Sequence, residues 1–441
     1  MIKNFKKSKI YSKNVHSFIP GGAHTYSKGD DQFPELSPGA ISHGKGAWIW
    51  DIDGNKFLEW GMGLTSISIG HADKDINNAV CSEINKGVNF SRPSELELKA
   101  AKFFLKNVAK NHEMIKFTKN GSTATTAAVK LSRTFTNKEY VAVPQEYPFF
   151  SYDDWFIGST ECDAGIPNVI KDLTLKFSYN SIESLEKLFS KTKNNIAAVI
   201  MEATKFKAPH KDYLLKVQKL CKKHGAVFIL DEMILGCKWH LGGGQEFFGV
   251  KPDLSTWGKG IANGYSFCAL TGKKEIMNLG GIKNKGSEKV FLVSTTHGSE
   301  SHGLAAMMET IKKLKKNKII EKNWKFGLKL KLGLNKVIKN NNLEKYIEII
   351  GDYDIFMTIN CKNYEMKDSS YFKTLLFQEM IKNGVLFNGL FYVMASHRQK
   401  EVNYTINAFE KSLKVYKKAL ENGYEKYLVG EAVKPVFRKY N

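Results

Sequence analysis

The pattern of apolar and polar positions divides the middle of the chain into short buried-strand runs separated by amphipathic helical stretches. IAAVIMEA, from Ile196, is apolar without interruption up to Glu202, as a strand covered on both faces has to be. LLKVQKLCKKHG then gathers its apolar residues on one helical face and stops at Gly225. A second apolar run, Ala226 to Leu230, follows and ends in the acidic pair Asp231-Glu232. Upstream, MIKFTKNGSTATTAAVKLSRTFT, from Met114, predicts a strand, a small polar turn and an alanine-rich helix, and YVAVPQEYPFF predicts a strand ending at Tyr147. NSIESLEKLF carries a capping-box pattern, with Asn180 at the cap and Glu183 three residues on. DLSTWG predicts a short strand that delivers Lys259 between Gly258 and Gly260. Strands alternating with helices in this way predict an α/β fold, with a mostly parallel sheet covered by helices on both faces.

The two ends of the chain have another pattern. GAWIWDIDGNKFLEW predicts a β-hairpin, with Trp48 and Trp50 alternating, a turn at Asp53-Gly54, and Phe57 and Leu58 on the return strand. GHADKDINNAV, from Gly70, predicts a loop entering a helix, in which His71 caps or hydrogen-bonds. Beyond about Leu314 come a long basic helix, a strand-like YIEIIGDYDIFMTIN, a helix SYFKTLLFQEMIKNG, a short VLFNG and a final helix from about Lys400. The expected organisation is an N-terminal segment, residues 1–73, that shares a small α+β domain with residues 314–441, and a large domain over residues 74–313.

Composition narrows the function classes. The 441 residues are 42% hydrophobic, enough for a sizeable core. The six cysteines show no CxxC pair and no metal-ligand spacing, so they are expected to be reduced and mostly buried, with no metal site. MIKNFKKSKIYSKNV is basic but leads into no apolar core, and no run reaches bilayer length, so the expectation is a cytoplasmic protein without a membrane partner. A formal charge of +22 raises the question of a polyanion partner. The lysines are spread over polar helix faces, as in KKLKKNKIIEKNWKFGLKLKLG from Lys312, with no zinc-finger spacing, RNP-like block or concentrated arm. That distribution reads as a solvated basic surface and not as a nucleic-acid site; its field would still favour a phosphorylated or nucleotide-linked substrate.

In an open α/β sheet, side chains at the carboxyl ends of strands point into the ligand crevice. Asp231 and Lys259, 28 positions apart, are both placed at such ends. A carboxylate and an amine in one pocket suit pyridoxal phosphate, whose aldehyde forms a Schiff base with a lysine and whose ring nitrogen stays protonated against an aspartate. The turn at Asn120-Gly121-Ser122-Thr123 offers the free N–H groups and positive dipole end of a helix N-terminus to a phosphate, and Gly121 permits close backbone approach. Glu202, also at a strand end, is a candidate to face the same crevice.

Two stretches, FILDEM and GGGQEFFGVKPDLSTWGKGIANG, resemble the aspartate and lysine blocks of the class III pyridoxal-phosphate-dependent aminotransferases, most closely the glutamate-1-semialdehyde 2,1-aminomutase-like proteins. The resemblance runs from about Ile19 to Leu420 and implies a fold type I enzyme. It implies Lys259 as the catalytic Schiff-base lysine, Asp231 on the ring nitrogen, and Gly121, Ser122 and Thr123 in the phosphate cup. It puts Tyr147 against the cofactor ring, although Pro148-Phe149 stands where the family has His-Gly. FLVSTTHGSESHG resembles a block whose threonine reaches the neighbouring subunit's cofactor phosphate, which implies this role for Thr296 and a homodimer with shared active sites.

The departures fall at substrate positions. GGAHTYSKGDD offers Lys28 where the aminomutases place an arginine, GLTS replaces a TWGP-like element, and a late glutamate block is shortened to NGLFYVMASH. Arg92 in NFSRPSELE is a candidate replacement anchor for the substrate, the alternative being an ordinary surface arginine. The expectation is therefore an aminotransferase moving an amino group between a small-molecule donor and an aldehyde or ketone, such as a sugar intermediate of surface polysaccharide synthesis. The alternatives are the aminomutase that makes 5-aminolevulinate, and a non-catalytic polyanion-binding protein on the same fold, against which the intact Asp231 and Lys259 stand.

Overall fold

The computed structural model describes all residues except Met1, Lys3, Pro148, Asn284 and Ser287. Pro148, half of the Pro148-Phe149 departure, therefore lies outside the described residues. The chain forms two compact units. One combines Met1–Asp73 with Glu321–Val436, and the other combines Lys74–Ile320 with Phe437–Asn441.

In the first unit, strands β1 (Ile41–Lys45), β2 (Trp48–Asp51) and β3 (Lys56–Glu59) form an antiparallel meander. The DxDGN turn can be accounted for residue by residue. Asp51 accepts the backbone N–H of Asn55 at 2.7 Å and its side-chain amide at 2.8 Å, and Gly54 takes the left-handed φ of 80° that closes the turn. Asp53 faces the other way, accepting the N–H groups of Lys7 (2.7 Å) and Ser8 (2.9 Å) at the start of helix Lys6–Val15. The alternating Trp48 and Trp50 lie on the half-exposed face of the hairpin, while Ile49 and Phe57 are buried.

The second unit is built on a seven-stranded sheet of strands β4 (Met114–Thr118), β5 (Tyr140–Pro144), β6 (Thr174–Phe177), β7 (Ile196–Met201), β8 (Val227–Asp231), β9 (Leu254–Trp257) and β10 (Cys268–Gly272). The order is β4-β10-β9-β8-β7-β5-β6, and β10 alone runs against its neighbours. Strands β7 and β8 are buried at every position, which is why their sequences read as unbroken apolar runs. The alanine-rich helix Gly121–Thr136 packs on the sheet with Ala124, Ala127 and Ala128 buried. Two boundaries differ from expectation. Strand β5 stops at Pro144, so Tyr147 sits in the following turn. The helix Ile182–Lys191 is capped by Ser181, whose hydroxyl accepts the N–H of Ser184 at 3.2 Å. Asn180 instead adopts φ 66° and tethers a distant loop, donating to the carbonyl of Ala208 and accepting from the N–H of His210.

The rest of the first unit adds helix Ile319–Asn340 from its Glu321 onward, strands β11 (Ile347–Ile350) and β12 (Phe356–Cys361), helix Ser370–Lys382, and strands β13 (Val385–Leu386) and β14 (Leu390–Tyr392). A closing helix spans Gln399–Asn422. Strand β13 joins the meander parallel to β3, and β11-β12-β14 form a second, antiparallel sheet. Among the described residues no helix is long and apolar enough to cross a membrane.

His397 is a buried polar residue of this unit. Fully buried, it stacks on Trp60 at 4.0 Å, accepts the N–H of Met394 at Nδ1 and donates from Nε2 to the carbonyl of Glu59. Both nitrogens are thereby committed to the neutral ring, and burial lowers its pKa to about 4. The unfolded chain takes up this proton near pH 6.5, so the contribution is present above that pH and is lost as pH falls toward 4, by up to roughly 3 kcal/mol. We expect His397→Gln to be destabilised at pH 7 but to show a shallower fall in Tm than the parent between pH 7 and pH 5. Parallel Tm–pH curves would refute this account.

Candidate active site

The sheet register gathers the chemistry along one edge. Strands β7, β8 and β9 run parallel and end next to Glu202, at Asp231 and two residues before Lys259. Because β10 runs the other way, it begins at this edge: Cys268 pairs with Thr118, the last residue of β4, and Ala269 pairs with Trp257. Asp231 lies opposite Thr256 on β9. The Thr256 hydroxyl donates to Asp231 Oδ1 at 3.1 Å, and the N–H of Met233 donates to the same oxygen at 2.9 Å. One carboxylate oxygen is thus fixed by the fold.

Lys259 follows in a turn that only a particular backbone can make. Its own φ is 53°, in the left-handed region. A Cβ on Gly258 would lie 2.4 Å from the Cys268 sulfur and 2.7 Å from that of Met233, so no larger residue fits without displacing them. Met233 also lies under Gly121, where an added Cβ would meet its sulfur at 3.1 Å. Met233, Cys268 and Ala124 form one small apolar cluster, which locks the Asp231 turn, the Lys259 turn and the helix N-terminus together.

Burial dominates the electrostatics. Asp231 and Glu202 are buried carboxyls, 3% and 5% exposed. Desolvation pushes both upward in pKa, and for Asp231 the charge on Glu202 adds to the rise. The Lys259 amine is pushed the other way by desolvation, against the attraction of Glu202 and Asp231. Lys259 still keeps part of its surface accessible, as a group that meets a ligand must. A second amine, that of Lys238, is 2% exposed; burial first and Lys259 second hold its pKa well below the ordinary lysine value. Glu232, next to Asp231, serves the fold. Its two oxygens accept the N–H groups of Gly244 and Gln245, each at 2.7 Å, and burial raises its pKa to about 8.

The turn expected to hold a phosphate is a capped helix N-terminus. Asn120 Oδ1 accepts both the N–H and the hydroxyl of Thr123, at 2.9 and 3.0 Å. The N–H groups of Gly121 and Ser122 lie in the first turn, ahead of the first helical hydrogen bond. The Ser122 hydroxyl accepts the N–H of Tyr152 at 3.0 Å. Tyr147 is buried, its ring edge-on to Tyr179 at 5.3 Å and to Phe150 at 6.3 Å. Its hydroxyl is buried without a hydrogen bond of ordinary geometry.

The remaining sequence candidates are exposed side chains or turn residues. Thr296 is exposed, its carbonyl held by the Asn89 side chain at 3.0 Å. Arg92 is exposed in the loop before helix Glu95–Asn107. Lys28 is exposed in a short 3-10 turn of the first unit. GLTS, also in the first unit, belongs to a left-handed turn in which Met62, Gly63, Leu64 and Thr65 have φ of 42°, 59°, 57° and 66°. With only one glycine among the four, this turn carries real backbone strain. Reading the sequence singled out neither Thr256 nor Lys238. Thr256 carries no motif of its own. Lys238 is one of 66 basic residues, and only the count of positions after Asp231 could have marked it.

These residues fit pyridoxal phosphate on three observations. The site offers an amine with depressed basicity to an aldehyde. A buried carboxyl with one oxygen fixed and a raised pKa, which has no ion pair within 4 Å among the described residues, can receive a pyridinium nitrogen. A capped helix start faces the same edge, and the buried Tyr147 hydroxyl feels the charge of Glu202. Comparison with known proteins agrees. The model of the family Aminotransferase class-III matches residues 31–396. The chain is 30% identical to 3-aminobutyryl-CoA aminotransferase of Cloacimonas acidaminovorans, over 92% of this chain and 97% of that protein. It is also 30% identical to glutamate-1-semialdehyde 2,1-aminomutase of Nitrosopumilus maritimus, over 93% and 99% of the two chains. The fold is similar to that of the FumI protein of Sphingopyxis sp. MTA144, solved with PLP, with a TM-score of 0.85, 21% identity and coverage of 95% and 98%. The chain belongs to the class III aminotransferase family, and is a pyridoxal-phosphate-dependent enzyme of fold type I.

Proposed function

We propose that this protein is an aminotransferase that moves an amino group to or from an aldehyde or ketone other than glutamate semialdehyde, a sugar intermediate of surface polysaccharide synthesis being the substrate we favour. The observation that carries the transfer chemistry is the buried set Asp231, Glu202 and Lys259 at one sheet edge. The departures at Lys28, GLTS and NGLFYVMASH support a different substrate. Bound pyridoxal phosphate supplies an aldehyde that condenses with amines and a ring that accepts electrons.

Each residue has a distinct role in this reading. Lys259 is the catalytic amine: it would hold the cofactor's aldehyde at rest, and its Nζ would take up and give back the substrate's proton. That work requires a neutral amine, and desolvation favours it. Asp231, oriented by Thr256 and Met233, holds the proton on the ring nitrogen. The N–H groups of Gly121 and Ser122, with the hydroxyls of Ser122 and Thr123, hold the phosphate. Tyr147 packs against the ring, and Glu202 adds negative charge beside Lys259. Thr296 completes the phosphate site of a second subunit in a homodimer, with Lys28 and Arg92 as the candidates nearest the substrate in sequence pattern.

The aminomutase reading is favoured by a different observation, the 30% identity to the Nitrosopumilus maritimus protein over nearly both chains. Mixing the purified enzyme with glutamate semialdehyde alone separates the two. Formation of 5-aminolevulinate without an amino donor establishes the mutase, and glutamate-dependent conversion of the cofactor to its amine form, discharged by a separate carbonyl compound, establishes transfer.

Two variants test the machinery. Lys259→Ala should lower turnover about a thousandfold or more, and borohydride should then fix no cofactor to the chain by mass spectrometry; undiminished turnover would refute the assignment. Asp231→Asn keeps an Oδ1 for Met233 and Thr256 but removes the buried charge. Since the folded Asp231 carboxyl has a raised pKa, ionisation destabilises the cofactor-free fold progressively above the ordinary aspartate value of 3.8. Urea unfolding of cofactor-free protein should therefore show D231N more stable than the parent at pH 8, with the gap closing toward pH 4. The same gap at both pH values would contradict the electrostatic account.

A further inference from the structure

The loop that follows Glu202, Ala203 to Asp212, reaches the catalytic edge directly from the end of β7, and it is held in place from three sides. The Tyr179 hydroxyl donates to the carbonyl of Ala203 at 2.8 Å. The Thr204 hydroxyl, fully buried, donates to the carbonyl of Lys207 at 2.7 Å and closes a tight turn over Lys205 and Phe206. Asn180 binds the far end through Ala208 and His210, at 2.9 and 2.8 Å. Tyr179 is itself wedged between Tyr147 and Tyr213, both edge-on at 5.3 Å. These anchors hold the turn at 205–206 in place at the end of β7.

The turn carries Lys205. The side chain is half-buried, and among the described residues it forms no ion pair and no hydrogen bond. A lysine drawn partly out of water ordinarily finds a carboxylate or extends its amine to solvent. The turn sets Lys205 three positions beyond the buried Glu202, at the carboxyl end of β7 where the ligand crevice of such a sheet opens, and its positive charge there acts against the rise in the Glu202 pKa.

We propose that Lys205 is a specificity-determining residue that binds an anionic group, carboxylate or phosphate, carried by the substrate away from its reacting carbon. This rests on the assignment of Lys259 as the reactive amine. The preformed loop lowers the ordering cost of the contact, and the low-dielectric edge strengthens the pairing beyond what an exposed lysine gives. Neutral amines and neutral carbonyl compounds of the same length should bind less well.

The test uses the cofactor-loaded enzyme, in which the phosphate cup is filled, and titrates it calorimetrically with succinate and separately with inorganic phosphate. The expected result is binding of at least one of these anions to the parent, weakened about tenfold or more in Lys205→Met and restored to within about threefold by Lys205→Arg, which retains the charge. Binding of succinate alone identifies a carboxylate substrate, and binding of phosphate alone a phosphorylated one. Failure of the parent to bind either anion, or equal binding by the parent and K205M, overturns the proposal. The visible cofactor band and its borohydride fixation to Lys259, recorded on the same samples, separate the two claims. If fixation at Lys259 is missing in the parent, the reading of the active site fails; if it is present while anion binding ignores Lys205, only this inference fails. Retention of the band in K205M and K205R shows that both variants have folded.

Discussion

Removal of water from one sheet edge is the condition on which the rest of the structure turns. Asp231 and Glu202 are carboxyls that would rather be neutral there, and Lys259 and Lys238 are amines that would rather be unprotonated. Left to water, each would hold its ordinary charge. Placed together among buried strand ends, they have their pKa values drawn toward one another, the acids upward and the amines downward. The cost falls on the fold, and the fold meets it by fixing backbone and hydroxyl donors on the acids: Met233 and Thr256 on Asp231, Gly244 and Gln245 on Glu232.

That arrangement tolerates little movement, because small residues and sulfur atoms fill the space between the three functional turns. Gly258 and Gly121 leave room for Met233, and Gly258 for Cys268 as well, that a side chain at either position would take. A shift of one turn would be felt in the others, so the aspartate, the lysine and the helix start behave as one rigid part. The first unit stores its strain elsewhere, in the left-handed turn from Met62 to Thr65, with Glu59 accepting the N–H of Gly63 and pairing with His71 at 2.6 Å.

The large positive charge has a local meaning within this picture. Most of the lysines sit on solvated faces, as their scatter along the chain suggests. Lys238 and Lys205 are different because of position alone: one is shut inside the cluster, the other is mounted on a tethered loop beside Glu202. Neither differs from the other lysines in any way that composition or local pattern reveals.

The sequence by itself determined the alternation of buried strands and helices, the DxDGN hairpin turn, and the placing of Asp231 and Lys259 at neighbouring strand ends. These are properties of local periodicity and of residue types with few alternative uses. It misplaced the cap of helix Ile182–Lys191 because Asn180 and Ser181 are equally good caps in isolation; the choice falls to Ser181 once Asn180 is committed to Ala208 and His210. It could not find Thr256, Lys238 or Lys205, nor the left-handed turn in GLTS. Register across strands, burial and the path of a loop over an edge arise from contacts between residues far apart in the chain, and only the tertiary structure decides those.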